Sequence, residues 1–199
     1  MKKILALLLA VVMLTALFGC STGAKISRGT IEGDVYQSEY LGLKFTKPSS
    51  WVYSTDEEIA AMMNFAADNL LDENFKKALE NNPTVYDMMV VDMKTRTNIN
   101  VGFENLKKTM SSNITVEQYV DALKDQLANV TEMTVSFNDD LETVKLGKTE
   151  FTKCVCETTA SGVEMTQVYY LRKVDGYMTF VIVTITSGYT VADIEAMFS

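Results

Sequence analysis

The chain has 199 residues, of which 47% are apolar, and it carries a formal net charge of −8 with no histidine. This composition excludes a disordered chain and argues against nucleic-acid binding, because surfaces that bind DNA or RNA are basic. The lack of histidine removes the commonest general base, the Ser-His-Asp and Cys-His arrangements, and the usual imidazole ligands of zinc and copper.

The first nineteen residues have the pattern of a secretory signal peptide. Lys2 and Lys3 precede an apolar run of 15 residues, Ile4–Phe18, and Gly19 supplies a small residue before a cleavage point. A membrane-spanning helix needs about 20 apolar residues, so this run is too short to span a bilayer. Residues 1–19 are therefore predicted to be removed. Loss of the two lysines changes the formal charge of the remaining chain from −8 to −10.

The segment Leu17-Phe18-Gly19-Cys20 resembles the lipobox of bacterial lipoproteins. The resemblance implies cleavage between Gly19 and Cys20 and a thioether-linked diacylglycerol on Cys20. Two acyl chains on one residue suffice for stable anchoring, whereas a single myristoyl chain binds only marginally. We therefore expect an extracytoplasmic protein that is anchored to the bacterial cell membrane through the lipid on Cys20 and has no other cofactor.

Small and polar residues dominate positions 20–37, which are predicted to form a lipidated flexible linker that holds the domain on the order of 20 Å from the membrane. The domain itself is predicted to span residues 38–199. It begins with a strand over 41–45, where Leu41, Leu43 and Phe45 alternate with a glycine and a lysine before Pro48. Trp51, the only tryptophan, is predicted to fill the core.

Capping boxes mark the starts of two helices. Thr55 with Glu58 three residues later opens a long helix, which Asp72 can interrupt. Thr115 with Gln118 opens a second helix, whose apolar residues recur at the spacing of a helix that lies on a sheet. The pattern therefore places two helices of substantial length in the first two thirds of the chain.

The strand pattern dominates the second half of the chain, and it predicts a single α+β domain with a central antiparallel sheet flanked by helices. Asp175-Gly176 is a strong hairpin signal, and the run 178–185 is apolar on both faces, as in a central strand. Thr190 caps a short terminal helix. Strands are predicted over 85–92, 97–103, 141–146, 149–159, 163–173 and 177–186.

The amino-acid sequence of several short segments resembles that of the PsbP-like fold family. The segments are Tyr40–Trp51, Thr115–Tyr119, Gln167–Tyr170 and Asp175–Tyr177. The resemblance implies a PsbP-like α/β/α sandwich over residues 38–199. The family includes extrinsic subunits of photosystem II, a Ran-binding nuclear factor and many bacterial lipoproteins, and it offers no shared catalytic residues.

Cys154 and Cys156 are the sharpest chemical signal in the domain. On a strand they face the same way with Cα atoms about 6.5–7 Å apart, whereas a disulfide prefers about 4.4–6.8 Å, so a bond between them carries strain. Two thiolates on one face can instead hold a soft metal such as Cu(I), with a methionine as a further ligand. The neighbours Phe151 and Val155 favour a third interpretation, in which both cysteines are small core hydrophobes.

The sequence favours a non-catalytic binding or adaptor domain, whose partner is an envelope protein or a small ligand in addition to the membrane lipid at Cys20. The alternative is a thiol- or Cu(I)-handling protein that uses Cys154 and Cys156. An enzyme is the third interpretation, and it requires a carboxylate or Ser-Lys cluster in a pocket. The nine tyrosines suit either a ligand groove or ordinary sheet packing. The oligomeric state stays open.

Overall fold

The computed structural model describes residues 26–131, 133–138 and 140–199. These residues form a three-stranded and an eight-stranded antiparallel sheet, with helices on both faces of the larger one. The strands are β1 (Thr30–Glu32), β2 (Val35–Ser38), β3 (Leu43–Thr46), β4 (Trp51–Tyr53), β5 (Thr84–Asp92), β6 (Asn98–Asn105), β7 (Met133–Phe137), β8 (Glu142–Leu146), β9 (Thr149–Ala160), β10 (Val163–Val174) and β11 (Tyr177–Ile185). The helices are α1 (Asp56–Met62), a 3-10 helix (Ala67–Leu70), α2 (Asp72–Asn81), α3 (Leu106–Thr109), α4 (Val116–Ala128) and α5 (Val191–Glu195).

The larger sheet has the order β4-β5-β6-β11-β10-β9-β7, and β8 pairs with the other end of β9. The prediction that 178–185 is a central strand is confirmed, because β11 lies between β6 and β10, with three strands on one side and four on the other. The α+β prediction, a single domain with an antiparallel sheet flanked by helices, is also confirmed.

Alternate residues of β11 enter two separate cores. Val181 and Val183 belong to the larger core, which lies under α1, α2, α5 and the three-stranded sheet. Met178 and Phe180 point to the opposite face and belong to the smaller core under α4. Trp51 is 1% exposed in the larger core, as predicted. The domain therefore has three layers, because side chains alternate across a strand.

The predicted long helix after Thr55 is wrong between positions 63 and 71. α1 ends at Met62, and Asn64 takes a positive φ of 58°, a conformation that asparagine tolerates well at a helix C-terminus. A 3-10 helix follows before α2 begins at Asp72, the position predicted for a break. The predicted capping boxes at Thr55 and Thr115 are both present.

The prediction of a flexible linker over 20–37 is corrected for residues 26–37. Ile26 packs against the larger core, β1 and β2 pair with each other, and Tyr36 is fully buried. The physical reason is that Tyr36 and Arg28 interact with an acidic residue far along the chain, which local composition does not reveal. Residues 1–25 lie outside the described residues, and they include the signal segment, Cys20 and the rest of the predicted linker.

Candidate functional site

Arg28 and Tyr36, near the start of the described chain, contact two acidic residues from later in the chain, Asp56 and Asp87. We term these four side chains the N-terminal charge cluster. A β-bulge in β5 creates its centre. The register of β5 with β6 shifts between Tyr86 and Met88, so Asp87 is the extra residue of the bulge. Such a bulge redirects a side chain out of the regular ladder. It allows a carboxylate to lie 1% exposed within the domain.

Two hydrogen-bond donors and one positive charge surround the Asp87 carboxylate. The Tyr36 hydroxyl donates to Oδ2 at 2.6 Å, and the Gly29 amide donates to both oxygens at 3.1 Å. The Arg28 Nε lies 3.4 Å from Oδ1 and forms no hydrogen bond there, so that contact is electrostatic. A Cβ on residue 29 would lie 2.3 Å from the Tyr36 ring, which means that only glycine lets the backbone approach so closely.

The Arg28 guanidinium also joins three other parts of the chain. It donates to both oxygens of Asp56 at 2.6 and 2.7 Å, and to the carbonyl oxygens of Leu70 and Asp87 at 3.2 Å each. The side chain is 11% exposed, and this paired geometry is the strongest that arginine forms with a carboxylate. One arginine therefore connects the N-terminal segment to α1, to the 3-10 helix and to β5.

Burial dominates the proton affinities in the N-terminal charge cluster. It raises the pKa of Asp87 to about 6, although the bonds from Tyr36 and Gly29 and the charge of Arg28 oppose this. Burial and the negative charge of Asp87 also raise the pKa of Tyr36 well above its usual value. The hydrogen bond from Arg28 lowers the pKa of Asp56. For Arg28, burial lowers the pKa, but the bond to Asp56 and the two carboxylate charges outweigh it and raise the pKa.

The centre of this cluster, Asp87, is closed to solvent, whereas Asp56 at its edge is 41% exposed. Perturbed pKa values mark active sites when the groups lie in a cleft that substrate can enter, and structural ion pairs produce similar shifts. The carboxylate of Asp87 is fully enclosed, and the donors around it come from the protein itself. Its chemical capacity is therefore to fasten one segment to another.

Cys154 and Cys156 are both fully buried and are not joined by a disulfide. They face the smaller core under α4, next to Tyr169 and Gln167 of β10 in the strand register. Burial raises the pKa of both thiols, that of Cys156 to about 11. In the described residues, no group of three or more His, Cys, Asp or Glu side chains is arranged to hold a metal ion. This environment is that of core residues.

Four of the nine tyrosine hydroxyls bind carboxylates of the same chain. They donate across long sequence separations, at 2.5 to 3.0 Å. The pairs are Tyr36–Asp87, Tyr40–Asp175, Tyr119–Glu104 and Tyr170–Glu195. A phenol supplies a hydrogen-bond donor to a carboxylate, so these four tyrosines connect distant parts of the fold.

One part of the larger sheet is less covered than the rest. α4 packs against β7 and β10, whereas Val52 of β4 is 52% exposed, and Val91, Asn98 and Asn100 next to it are half-buried. The Asn100 amide donates to Asn98 at 3.2 Å, while its own oxygen is buried without a partner. We term this surface the open sheet face.

In the part of the chain that the structure describes, no helix is long and apolar enough to cross a membrane.

Fold and site together define a single α+β domain whose N-terminal segment is fastened by a buried charge cluster. No protein-family model matches the chain, and no curated protein matches it. Among solved structures, it is similar to the solution structure of cyanobacterial PsbP (CyanoP) from Synechocystis sp. PCC 6803. That likeness has a TM-score of 0.48 and 12% identity, and it covers 91% of this chain and 97% of the other.

Sequence reasoning identified the cysteines and missed Arg28 and Asp87. A usable signal for Asp87 was present, because it is the one charged residue between Val85 and Val91 in an otherwise apolar strand. A carboxylate in such a run needs a partner when the strand is buried. No comparable signal marks Arg28, since it lies among small and polar residues typical of a linker.

Proposed function

We propose that the protein is a lipid-anchored, extracytoplasmic adaptor without catalytic activity, held at the cell membrane through a diacylglycerol on Cys20. The observation that carries the proposal is the N-terminal charge cluster, which begins at Arg28, only eight residues after Cys20. A chain that is pulled at its lipid end needs a firm connection to its domain. Arg28 provides one that joins three separate elements.

The shortened linker supports the proposal further. Ile26 already packs against the core, so only five residues separate it from Cys20. Fully extended, the six steps from Cys20 to Ile26 span at most about 21 Å, at about 3.5 Å per residue. The domain is thus held close to the membrane surface and at a defined point of its own surface, which suits an adaptor that meets a partner at the envelope.

The environments of the reactive groups support a non-catalytic role over thiol or Cu(I) handling. A metal-transfer or redox thiol needs solvent access and a low pKa. Cys154 and Cys156 are fully buried with raised pKa values. Asp87, the carboxylate with the raised pKa, is enclosed by its own donors.

Replacement of the lipid-bearing cysteine tests the anchor. We expect the wild-type chain in the membrane fraction and Cys20→Ala in the soluble fraction, with the same circular dichroism spectrum after purification. Cys156→Ala is the matched control, since it also removes one thiol and should stay in the membrane fraction. Membrane retention of Cys20→Ala from which residues 1–19 have been removed would contradict the lipid anchor.

Site-specific photo-cross-linking in intact cells tests the adaptor role. A photoreactive amino acid at Val52 on the open sheet face is compared with the same amino acid at Val163, which is 50% exposed at the tip of β10. We expect a discrete cross-linked product from Val52 in the anchored protein. A discrete product at neither position would count against an adaptor that works through this domain.

A further inference from the structure

We infer that the segment from Ala61 to Leu71, here the 61–71 segment, lies on the bilayer surface and orients the domain there. The inference rests on the proposed anchor at Cys20. Its chemical partner is the interfacial zone of a lipid bilayer, recognised through apolar side chains without an electrostatic contribution.

The composition of the 61–71 segment is unusual for an exposed connection between two helices. Asp68 is its only charged residue among eleven. Met62 is 55% exposed and Leu71 is 47% exposed, and Phe65 is only partly covered by the core. Exposed apolar side chains concentrated in one short segment, here the end of α1 and the 3-10 helix region, mark a binding surface for a protein or a membrane.

The position of this segment favours the membrane. Arg28 donates to the carbonyl oxygen of Leu70 at 3.2 Å and binds Asp56 at the start of α1, so the anchored end of the chain lies against the 61–71 segment. With Ile26 held to the core, the lipid on Cys20 is at most about 21 Å further along the chain. A surface tied so closely to the bilayer experiences a high local concentration of lipid, so modest apolar contacts suffice.

Charge decides which kind of lipid contact the segment can make. The carboxylates of α1 are partly engaged, since Asp56 binds Arg28 and Glu58 accepts from the Thr55 amide at 2.8 Å. No lysine or arginine lies within the segment, so anionic headgroups gain nothing by binding it. We expect contact with zwitterionic lipid that does not weaken at high salt.

Fluorescence quenching by lipid-borne nitroxide in phosphatidylcholine vesicles measures the contact. The lipidated chain is reconstituted with a bimane label at Met62→Cys, and Val163→Cys serves as a control of similar exposure. Labelling is selective because Cys154 and Cys156 are fully buried and the Cys20 sulfur is in a thioether. We expect loss of most emission at position 62, unchanged at high salt, and no loss at position 163.

The outcomes separate this inference from the anchor proposal. Flotation with the vesicles is scored first: a lipidated protein that does not float overturns both proposals. A protein that floats but shows equal quenching at positions 62 and 163 overturns this inference alone. In a second variant, Met62→Ser with Leu71→Ser, a label at Ala66→Cys should lose its quenching while flotation is kept. Quenching that persists at position 66 overturns the assignment to these side chains.

Discussion

The N-terminal charge cluster and the cysteine pair are both buried, and both consist of groups that can carry chemistry. They differ in how the free-energy cost of burying each group is offset. Asp87 keeps its oxygens bonded to Tyr36 and Gly29 and lies beside a charged arginine. Cys154 and Cys156 need no such partners, because a neutral thiol behaves as a small apolar group. A buried charge therefore indicates a contact between distant chain segments, whereas a buried thiol indicates only packing.

Removal of Arg28 should have the largest effect on stability. Arg28→Ala leaves Asp87 buried without its positive neighbour and frees Asp56, and a broken buried pair costs about 3 kcal/mol. Lys76→Ala is the control, since Lys76 is 60% exposed in a 3.8 Å pair with Glu80 and should cost less than about 0.5 kcal/mol. Urea unfolding at pH 7.5 measures both variants. Equal losses in the free energy of unfolding would show that the N-terminal charge cluster stabilises the fold no more than an exposed ion pair does.

Asp87→Asn should change how the free energy of unfolding depends on pH. The folded-state pKa of Asp87 is raised from about 3.8 to about 6, so the folded chain binds more protons than the unfolded chain between these values. Its contribution therefore favours folding at low pH and is lost as pH rises through 6, on the order of 2–3 kcal/mol in total.

Urea unfolding of the wild type and Asp87→Asn at pH 4, 5, 6 and 7.5 checks this prediction. The wild type should gain stability relative to the variant as pH falls from 7.5 to 4, and the difference should be constant above about pH 7. Other carboxylates cancel in this difference. A difference that is flat from pH 4 to 7.5 would place the pKa of Asp87 at its ordinary value.

The cysteine pair should show the smallest effect. Cys154→Ala and Cys156→Ala each remove one sulfur from the smaller core, which should cost about 1 kcal/mol in urea unfolding. In the folded wild type, burial and raised pKa values should keep both thiols unreactive toward a thiol reagent at pH 8, with reaction after unfolding. Fast reaction of the folded chain, or a Cu(I) adduct in native mass spectrometry, would revive the thiol-handling alternative.

The sequence predicted most of the fold because its signals are local. Asp175-Gly176 takes up the expected positive φ values at a hairpin tip, and Thr115 caps α4 through Gln118. Each signal acts within four residues of its own position. The central position of β11 followed from its apolar character, which only a central strand needs on both faces.

The N-terminal charge cluster escaped prediction because its contacts are distant along the chain. Arg28 and Asp56 are 28 residues apart, and Gly29 and Asp87 are 58 apart. A segment of small and polar residues has the same composition whether it is a linker or an edge of a sheet. Only the partner residues distinguish the two states, and they lie in α1 and β5.

Hydrogen exchange of the Gly29 amide tests the fastening of the N-terminal segment most directly. In 15N-labelled Cys20→Ala protein, this amide should exchange slowly, with protection close to that of the central strand β11, because it donates to both oxygens of the buried Asp87. Arg28→Ala should remove much of that protection while β11 stays protected. Exchange of the Gly29 amide in the Cys20→Ala protein at the rate of an unstructured peptide would contradict the fastening and restore the flexible linker.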